Sequence, residues 1–219
     1  MSAEDELREI LSQPYWPTVD GVVAVGGSMN AELLTLAYAN GIFPWPHVGY
    51  PLLWFSPEER GVIDFKDLHL PRSFRQWRKK NGGNYRVSFD ESFSAVVRQC
   101  REKKRKGQEG TWINDEIESA YADLHRLGRA FSVEIWNKEK LVGGLYGVKS
   151  EKYHSCESMF FTENNASKLA LVSLIEKLQQ EGERWVDIQM VTSVCAHFGG
   201  RLISRVDFLQ RIGHADYFK

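Results

Sequence analysis

Long apolar runs are missing from this chain. The longest, Leu169 to Ile175, carries a serine inside it and falls far short of the ~20 residues that a helix needs to cross a bilayer. No membrane partner is expected. Cysteine is scarce: Cys100, Cys156 and Cys195 are odd in number, widely spaced and without a C-x-x-C pairing. That excludes a disulfide framework and a thiolate zinc site, and it points to a reducing compartment. An excess of charge of either sign is missing as well. With 28 basic residues against 29 acidic ones, a polyanion has to be met by a local patch rather than by the overall field of the protein. The opening Met-Ser-Ala-Glu-Asp-Glu-Leu is acidic where a secretory signal would be basic, so a soluble cytoplasmic protein is the expectation. The histidines show no metal-ligand spacing, and neither a metal nor a cofactor is expected.

What is there is a mixed pattern over 219 residues, enough for one medium and one small domain. The class is α/β (α+β), with no internal repeat. Leu33, Leu34, Ala37 and Tyr38 fall at helical spacing between an Asn30 cap and Gly41, which predicts a helix there. Gly41-Ile42-Phe43-Pro44-Trp45-Pro46 and Pro51 to Pro57 are punctuated by proline, which suits short extended pieces. The domain boundary is placed near Arg60, giving residues 1–60 and 61–219. Asp90 and Asn114 are expected to cap helices, the second stopped by Gly128. Phe131 to Trp136 and Leu141 to Val148 form a hairpin pattern whose Gly143, Gly144 and Gly147 suggest a bulge or a close approach. Tyr153 to Phe161 reads as a further strand, and Asn165 is expected to cap an apolar helix ending at Gly182.

The strand after that helix, Trp185-Val186-Asp187-Ile188-Gln189-Met190, carries the first chemical signal. Residues two apart share a face, so Asp187 and Gln189 point one way while Val186, Ile188 and Met190 point the other. A carboxylate and an amide inside an otherwise apolar strand must find polar partners. A strand fed by a hairpin, another strand and a helix lies in an α/β sheet whose crevice is a natural substrate site.

Several blocks, taken in order, resemble the leucyl/phenylalanyl-tRNA protein transferases. They are Gly26-Gly27, Leu33-Leu34 with Ala37-Tyr38, Gly41-Ile42-Phe43-Pro44-Trp45, Leu53-Trp54-Phe55-Ser56-Pro57 and Gly110-Thr111-Trp112-Ile113. Further along come Leu141 to Val148, Glu157-Ser158-Met159-Phe160, Ala166-Ser167-Lys168 and Asp187-Ile188-Gln189. The resemblance covers nearly the whole chain. It implies a small N-terminal domain joined to an acetyltransferase-like (GNAT-like) catalytic domain. It also implies transfer of Leu or Phe, sometimes Met, from aminoacyl-tRNA to proteins beginning with Arg or Lys, which marks them for N-end-rule degradation.

By the same resemblance Asp187 and Gln189 are the catalytic pair and Glu157 binds the basic N-terminal side chain. Leu145, Met159, Leu171, Leu174, Leu178 and Val186 are assigned to the aminoacyl pocket. His154 stands where an aromatic or apolar residue is expected beside that pocket. Trp45 and Trp112 are candidates to stack on the terminal adenosine of the tRNA. Two basic runs could follow its backbone: Arg98, Arg101, Lys103, Lys104, Arg105 and Lys106, and, more weakly, Arg72, Arg75, Arg78, Lys79 and Lys80. A monomer that binds no DNA is expected.

The chemistry fits these residue types. An aminoacyl ester is already activated, so positioning should dominate its attack by an α-amine whose pKa is about 7.7 to 8.0. Asp187 either orients that amine or accepts its proton. A thiol-imidazole pair of Cys156 and His154 lacks an orienting third group. Two rival classes remain. An acyl-CoA-dependent N-acyltransferase of similar fold would carry a pyrophosphate-cradling Arg/Gln-x-x-Gly-x-Gly/Ala loop, which is not found. A non-catalytic binder of RNA or basic N-termini has no need for Asp187 beside Gln189.

Overall fold

The computed structural model describes residues 3–12, 20–46, 49–103 and 113–214. The N-terminal part holds α1 (Ala3–Leu11), β1 (Val22–Val25), α2 (Ala31–Ala39), β2 (Phe43–Pro44) and β3 (Leu53–Phe55). Then come β4 (Glu59–Asp64), α3 (Arg72–Asn81), β5 (Tyr85–Phe89), α4 (Phe93–Glu102) and α5 (Asp115–Arg126). The hairpin is β6 (Ala130–Asn137) and β7 (Lys140–Lys149), followed by β8 (His154–Phe161), α6 (Ala166–Gln180) and β9 (Trp185–Gln189). The chain continues through α7 (Ser193–His197), β10 (Arg201–Ser204) and α8 (Arg205–Arg211). No helix among the described residues is long and apolar enough to cross a membrane.

The strands form a three-stranded sheet, β1-β3-β2, and a seven-stranded sheet ordered β10-β4-β9-β8-β7-β6-β5. The large sheet is antiparallel except between β8 and β9, which are joined through the crossover helix α6 and meet at Ser155 and Asp187. This is the acetyltransferase-like layout: a meander, a crossover helix, and a parallel junction at which two strands part. Ladder bonds end where strands diverge, so side chains must fill the gap. The candidate residues Glu157, Asp187 and Gln189 lie on these two strands.

Cores on both faces fix the sheet. On one side Leu33, Leu34, Tyr38 and Trp54 of the N-terminal part pack with Val96, Val97, Tyr121 and Leu124 of α4 and α5 against Tyr146 and Phe160. On the other, the apolar stripe of α6 packs with Val133, Leu145, Val186 and Phe74. The small sheet thus shares a core with the large one, and Arg60, at the expected boundary, already lies in β4.

The local signals mostly act as expected. Asn30 and Asn114 cap α2 and α5 through bonds of 2.9 Å from Leu33 N–H and Ile117 N–H. Gly143 is required by close approach, since a Cβ there would sit 2.5 Å from that of Ala166. Two expected caps are corrected. Asp90 adopts a left-handed φ of 59° and accepts instead from Ser132 N–H at 2.8 Å. The α4 terminus is met by Glu134, which accepts from Ser92 N–H at 3.3 Å. Asn165 is also left-handed, at φ 69°, and makes no side-chain cap; its amide oxygen accepts from Lys168 at 3.0 Å.

Candidate active site

Asp187 is fully buried, and the sequence gives no hint of what neutralises it. The structure supplies Arg60, which is 1% exposed. Its Nε and Nη2 donate to the two carboxylate oxygens at 3.0 and 2.7 Å, and its Nη1 donates to the Gly41 carbonyl at 3.2 Å. Phe43 and Phe208 lie on the guanidinium, each ring centre 4.5 Å away. Gly41 closes the cage: its φ is +73° and a Cβ there would reach within 2.7 Å of the Phe208 ring. Burial opposes the Arg60 charge, but Asp187 holds it above the ordinary guanidinium value. A bidentate pair of this kind fixes orientation as well as charge.

Asp187 also accepts from the backbone N–H of Gln189 at 2.8 Å. Gln189 itself stands at φ +56°, the left-handed region that non-glycine residues rarely enter, inside a tight turn closed by Met190 N–H donating to the Ile188 carbonyl at 2.5 Å. The register between β4 and β9 slips there, opposite Gly61. A Cβ on Gly61 would come within 2.9 Å of the Met190 carbonyl carbon. One expectation changes as a result: the strand ends at Gln189, and Met190 is 49% exposed instead of sharing the buried face of Val186.

The left-handed turn aims the Gln189 amide across the gap at Glu157. Its Nε2 donates to both carboxylate oxygens, at 2.9 and 2.8 Å. Glu157 is half-buried and sits where β8 bulges, between the register pairs Tyr146 with Ser158 and Gly147 with Cys156. Such a bulge re-aims a side chain. The Ser155 hydroxyl donates to the same carboxylate at 2.9 Å. Behind it the hydroxyls of Tyr38 and Tyr121 lie 2.7 Å apart. Burial drives both phenols well above their usual value, and the Glu157 charge adds to this. Burial also raises the Glu157 carboxyl, against the hydrogen bonds of Ser155, Gln189 and Tyr38 that favour the anion; the neighbouring Asp187 charge raises it further.

The six apolar candidates are brought together beside this constellation. Leu145, Leu171, Leu174, Leu178 and Val186 are buried in one cluster, with Met159 and Cys156 partly buried at its edge. Leu145, Leu171, Leu174, Leu178 and Val186 are enclosed in the core, whereas Met159 keeps part of its surface exposed. Burial lifts the Cys156 thiol well above its usual value, so it is not an activated nucleophile. His154 packs edge-on against Phe131, and burial lowers its pKa to about 4. It is therefore a neutral ring at pH 7.

The nucleic-acid candidates divide. Trp45 is half-buried, edge-on to Phe55 at 5.4 Å. Trp112, Lys104, Arg105 and Lys106 lie outside the described residues. Arg98 pairs with Glu118 at 3.5 Å, and Arg101 pairs with Asp115 and Glu118 of α5. Lys103 donates to the Phe161 carbonyl at 2.5 Å. On α3, Arg78 is bound by Glu176 through bonds of 2.7 Å, whereas Arg72, Arg75, Lys79 and Lys80 are exposed. Sequence reasoning missed Arg60, Ser155 and Tyr121. The available signal for the first was a lone cation opening the apolar stretch Val62-Ile63.

Comparison with known proteins adds to this geometry. Residues 62–213 match the family model described as leucyl/phenylalanyl-tRNA protein transferase, and residues 27–58 match the N-terminal domain of the same family. The chain is 47% identical to the leucyl/phenylalanyl-tRNA protein transferase of Anaeromyxobacter sp. (strain K), over 90% of this chain and 83% of that one. It is 42% identical to the enzyme of that name from Flavobacterium psychrophilum, over 88% and 90% of the two chains. Among solved structures it is similar, at TM-score 0.44 and 13% identity, to L-PGS from Bacillus licheniformis, over 74% of this chain and 52% of that one. A GCN5-related N-acetyltransferase from Kribbella flavida gives TM-score 0.34 and 9% identity over 76% and 58%. Both structural likenesses are too distant to bear on substrate or mechanism.

Proposed function

The chain belongs to the leucyl/phenylalanyl-tRNA protein transferase family and is an aminoacyltransferase acting on protein N-termini, and from that premise we propose that its acceptors begin with Arg or Lys. The observation that carries this reading is the state of Glu157. Its hydrogen-bond partners Ser155, Gln189 and Tyr38 are all neutral, which leaves a hydrogen-bonded carboxylate able to take a ligand cation. A guanidinium or ammonium group at the acceptor N-terminus answers it. Met is a third donor group beside Leu and Phe. The tagged proteins enter N-end-rule degradation.

In the reaction the acceptor nitrogen attacks the ester carbonyl carbon of the aminoacyl-tRNA. A C–N bond forms, the C–O bond to the ribose breaks, and one amine proton ends on the released ribose hydroxyl. Holding two reactants in register is the main requirement. Gln189, fixed between Asp187 and Glu157, is the polar group at the attacking amine. The aminoacyl side chain lies on the Met159 edge of the apolar cluster. Such a surface separates one methylene by only about 1 to 3 kcal/mol, which suits shared use of Leu and Phe. Trp45 stacks on the terminal adenosine, a role that the resemblance also gives to Trp112. Of the basic runs, the exposed face of α3 is best placed for phosphates, while Arg98 and Arg101 must first leave their carboxylates. The protein acts as a monomer, with its 1–60 and 61–219 units fastened by their shared core.

Transfer of labelled Leu and Phe from charged tRNA to peptides differing only in an N-terminal Arg, Lys, Asp or Ala tests the proposal. Transfer confined to Arg and Lys is expected. Equal use of the Asp or Ala peptide removes Glu157 from acceptor recognition.

A further inference from the structure

The buried cation at the head of β4 is a further part of the site. We propose that Arg60 is a positioning residue for the transfer reaction: it holds both carboxylate oxygens of Asp187 in place, and Asp187 in turn helps to hold the left-handed turn that points the Gln189 amide at Glu157. The proposal rests on the reading of Asp187 and Gln189 as the transfer pair. It also narrows that reading, because Asp187 then acts through Gln189 and does not take the amine proton.

The geometry runs as a single chain of contacts. Nε and Nη2 of Arg60 occupy both oxygens of Asp187, at 3.0 and 2.7 Å. One of those oxygens also accepts the Gln189 N–H at 2.8 Å. Little of the carboxylate remains for a substrate, and it is 0% exposed. Gln189 holds φ +56°, a conformation that persists only when its surroundings over-determine it. The bond to Asp187 is one restraint, the Met190 N–H bond to the Ile188 carbonyl is a second, and the slip opposite Gly61 gives the turn its room. Arg60 and Gly61 are adjacent, so one short stretch of β4 supplies both the cation and the room that the turn needs.

Arg60 is itself fixed by segments far away in the sequence. The Gly41 carbonyl and the Phe43 ring come from the N-terminal part, and the Phe208 ring comes from α8. The cage therefore makes the aim of Gln189 depend on how the N-terminal part and α8 seat on the large sheet. That dependence is what a group acting at a distance from the substrate requires.

The test compares wild type, Arg60→Lys, Arg60→Met, Asp187→Asn and the double variant Arg60→Met/Asp187→Asn. The acceptor is whichever peptide the wild type uses best, so a failed Arg/Lys preference leaves this test intact. Circular dichroism and thermal melting first establish which variants fold. Single-turnover rates and peptide KM are then measured on those. Arg60→Met is expected to lower the rate about 100-fold, the scale of a misplaced reacting group, with peptide KM changed less than about threefold because Ser155 still holds Glu157. Arg60→Lys recovers part of the rate. The double variant is no slower than the worse single variant, since the two residues act as one unit. If only Arg60→Lys and the double variant fold, their rates decide. A folded Arg60 variant with wild-type rate, or a double variant whose loss is the product of the two single losses, overturns the proposal. A Gln189→Ala protein that turns over normally overturns instead the reading beneath it.

Discussion

Asp187 and Glu157 are carboxylates on the two strands that part at the site, one fully buried against a cation and the other half-buried among neutral donors. Asp187 has its charge cancelled within the fold. Glu157 has its geometry fixed and its charge left uncancelled. On the proposed reading, the difference lets one α/β crevice separate two tasks that look alike in sequence. Orientation needs a carboxylate whose partners never change, while recognition of a cation needs one whose strongest partner is missing until the ligand arrives. Completing a buried ion pair with an incoming ligand is also more selective than adding a contact to a satisfied one, because the wrong ligand leaves the anion unpaired.

The contrast can be broken most sharply at Glu157. Glu157→Lys is expected to cut kcat/KM for an Arg-peptide by about 10³-fold, the scale of a hydrogen-bonded charge pair turned into a repulsion; unchanged transfer in the labelled-leucine assay would place cation recognition elsewhere. Asp187→Asn is expected to cost stability instead, about 3 to 5 kcal/mol by urea unfolding, because it leaves Arg60 buried without its anion. Glu157→Gln should lie within about 1 kcal/mol of wild type in the same measurement. Equal losses would erase the distinction between the two carboxylates.

Gln189→Ala is expected to lower kcat about 100-fold, the cost of losing a positioned group, with a smaller change in peptide KM; stopped-flow single turnovers separate the two. The raised pKa of Glu157 supplies a pH test. Cation binding is complete above that pKa and is lost as pH falls through it, so KM for an Arg-peptide should rise by up to about tenfold per unit below it. The fall sets in above the usual carboxylate value because burial raises the group. A Glu157→Gln protein should show no such rise. The smallest effect is expected at Arg98→Ala, whose carboxylate pairing on an exposed face is worth about 0 to 1 kcal/mol. The salt dependence of its tRNA binding should match that of wild type, whereas a slope reduced by about one would make Arg98 a phosphate contact.

How much of this was legible in the sequence depends on the range of each interaction. The hairpin, the α6 stripe and the caps at Asn30 and Asn114 are local, and their periodicity and spacing describe them correctly. Asp187 and Gln189 stand out because alternation within one strand is also local. Asp90 and Asn165 misled because the same side chains that cap helices also settle into left-handed turns, and a residue 42 positions away took the cap at α4. Arg60 was missed for a related reason. In Pro57-Glu58-Glu59-Arg60 it reads as a charged linker, and its partner lies 127 residues downstream. The apolar candidates, assigned through the resemblance, lie in one cluster, but periodicity alone does not tell a pocket wall from ordinary core.

The cage around Arg60 also orders events during synthesis. Its walls come from residues 41 and 43, its counter-ion from residue 187 and its last ring from residue 208. A chain made from the N-terminus carries an uncompensated guanidinium through most of its translation, and a charge without its anion opposes burial. The large sheet therefore cannot close around Arg60 until β9 has emerged, and the cage is complete only with α8. A ribosome-bound chain lacking those last elements has Glu157 but no aimed Gln189 amide, so on the proposed reading catalytic competence is among the final properties this protein acquires.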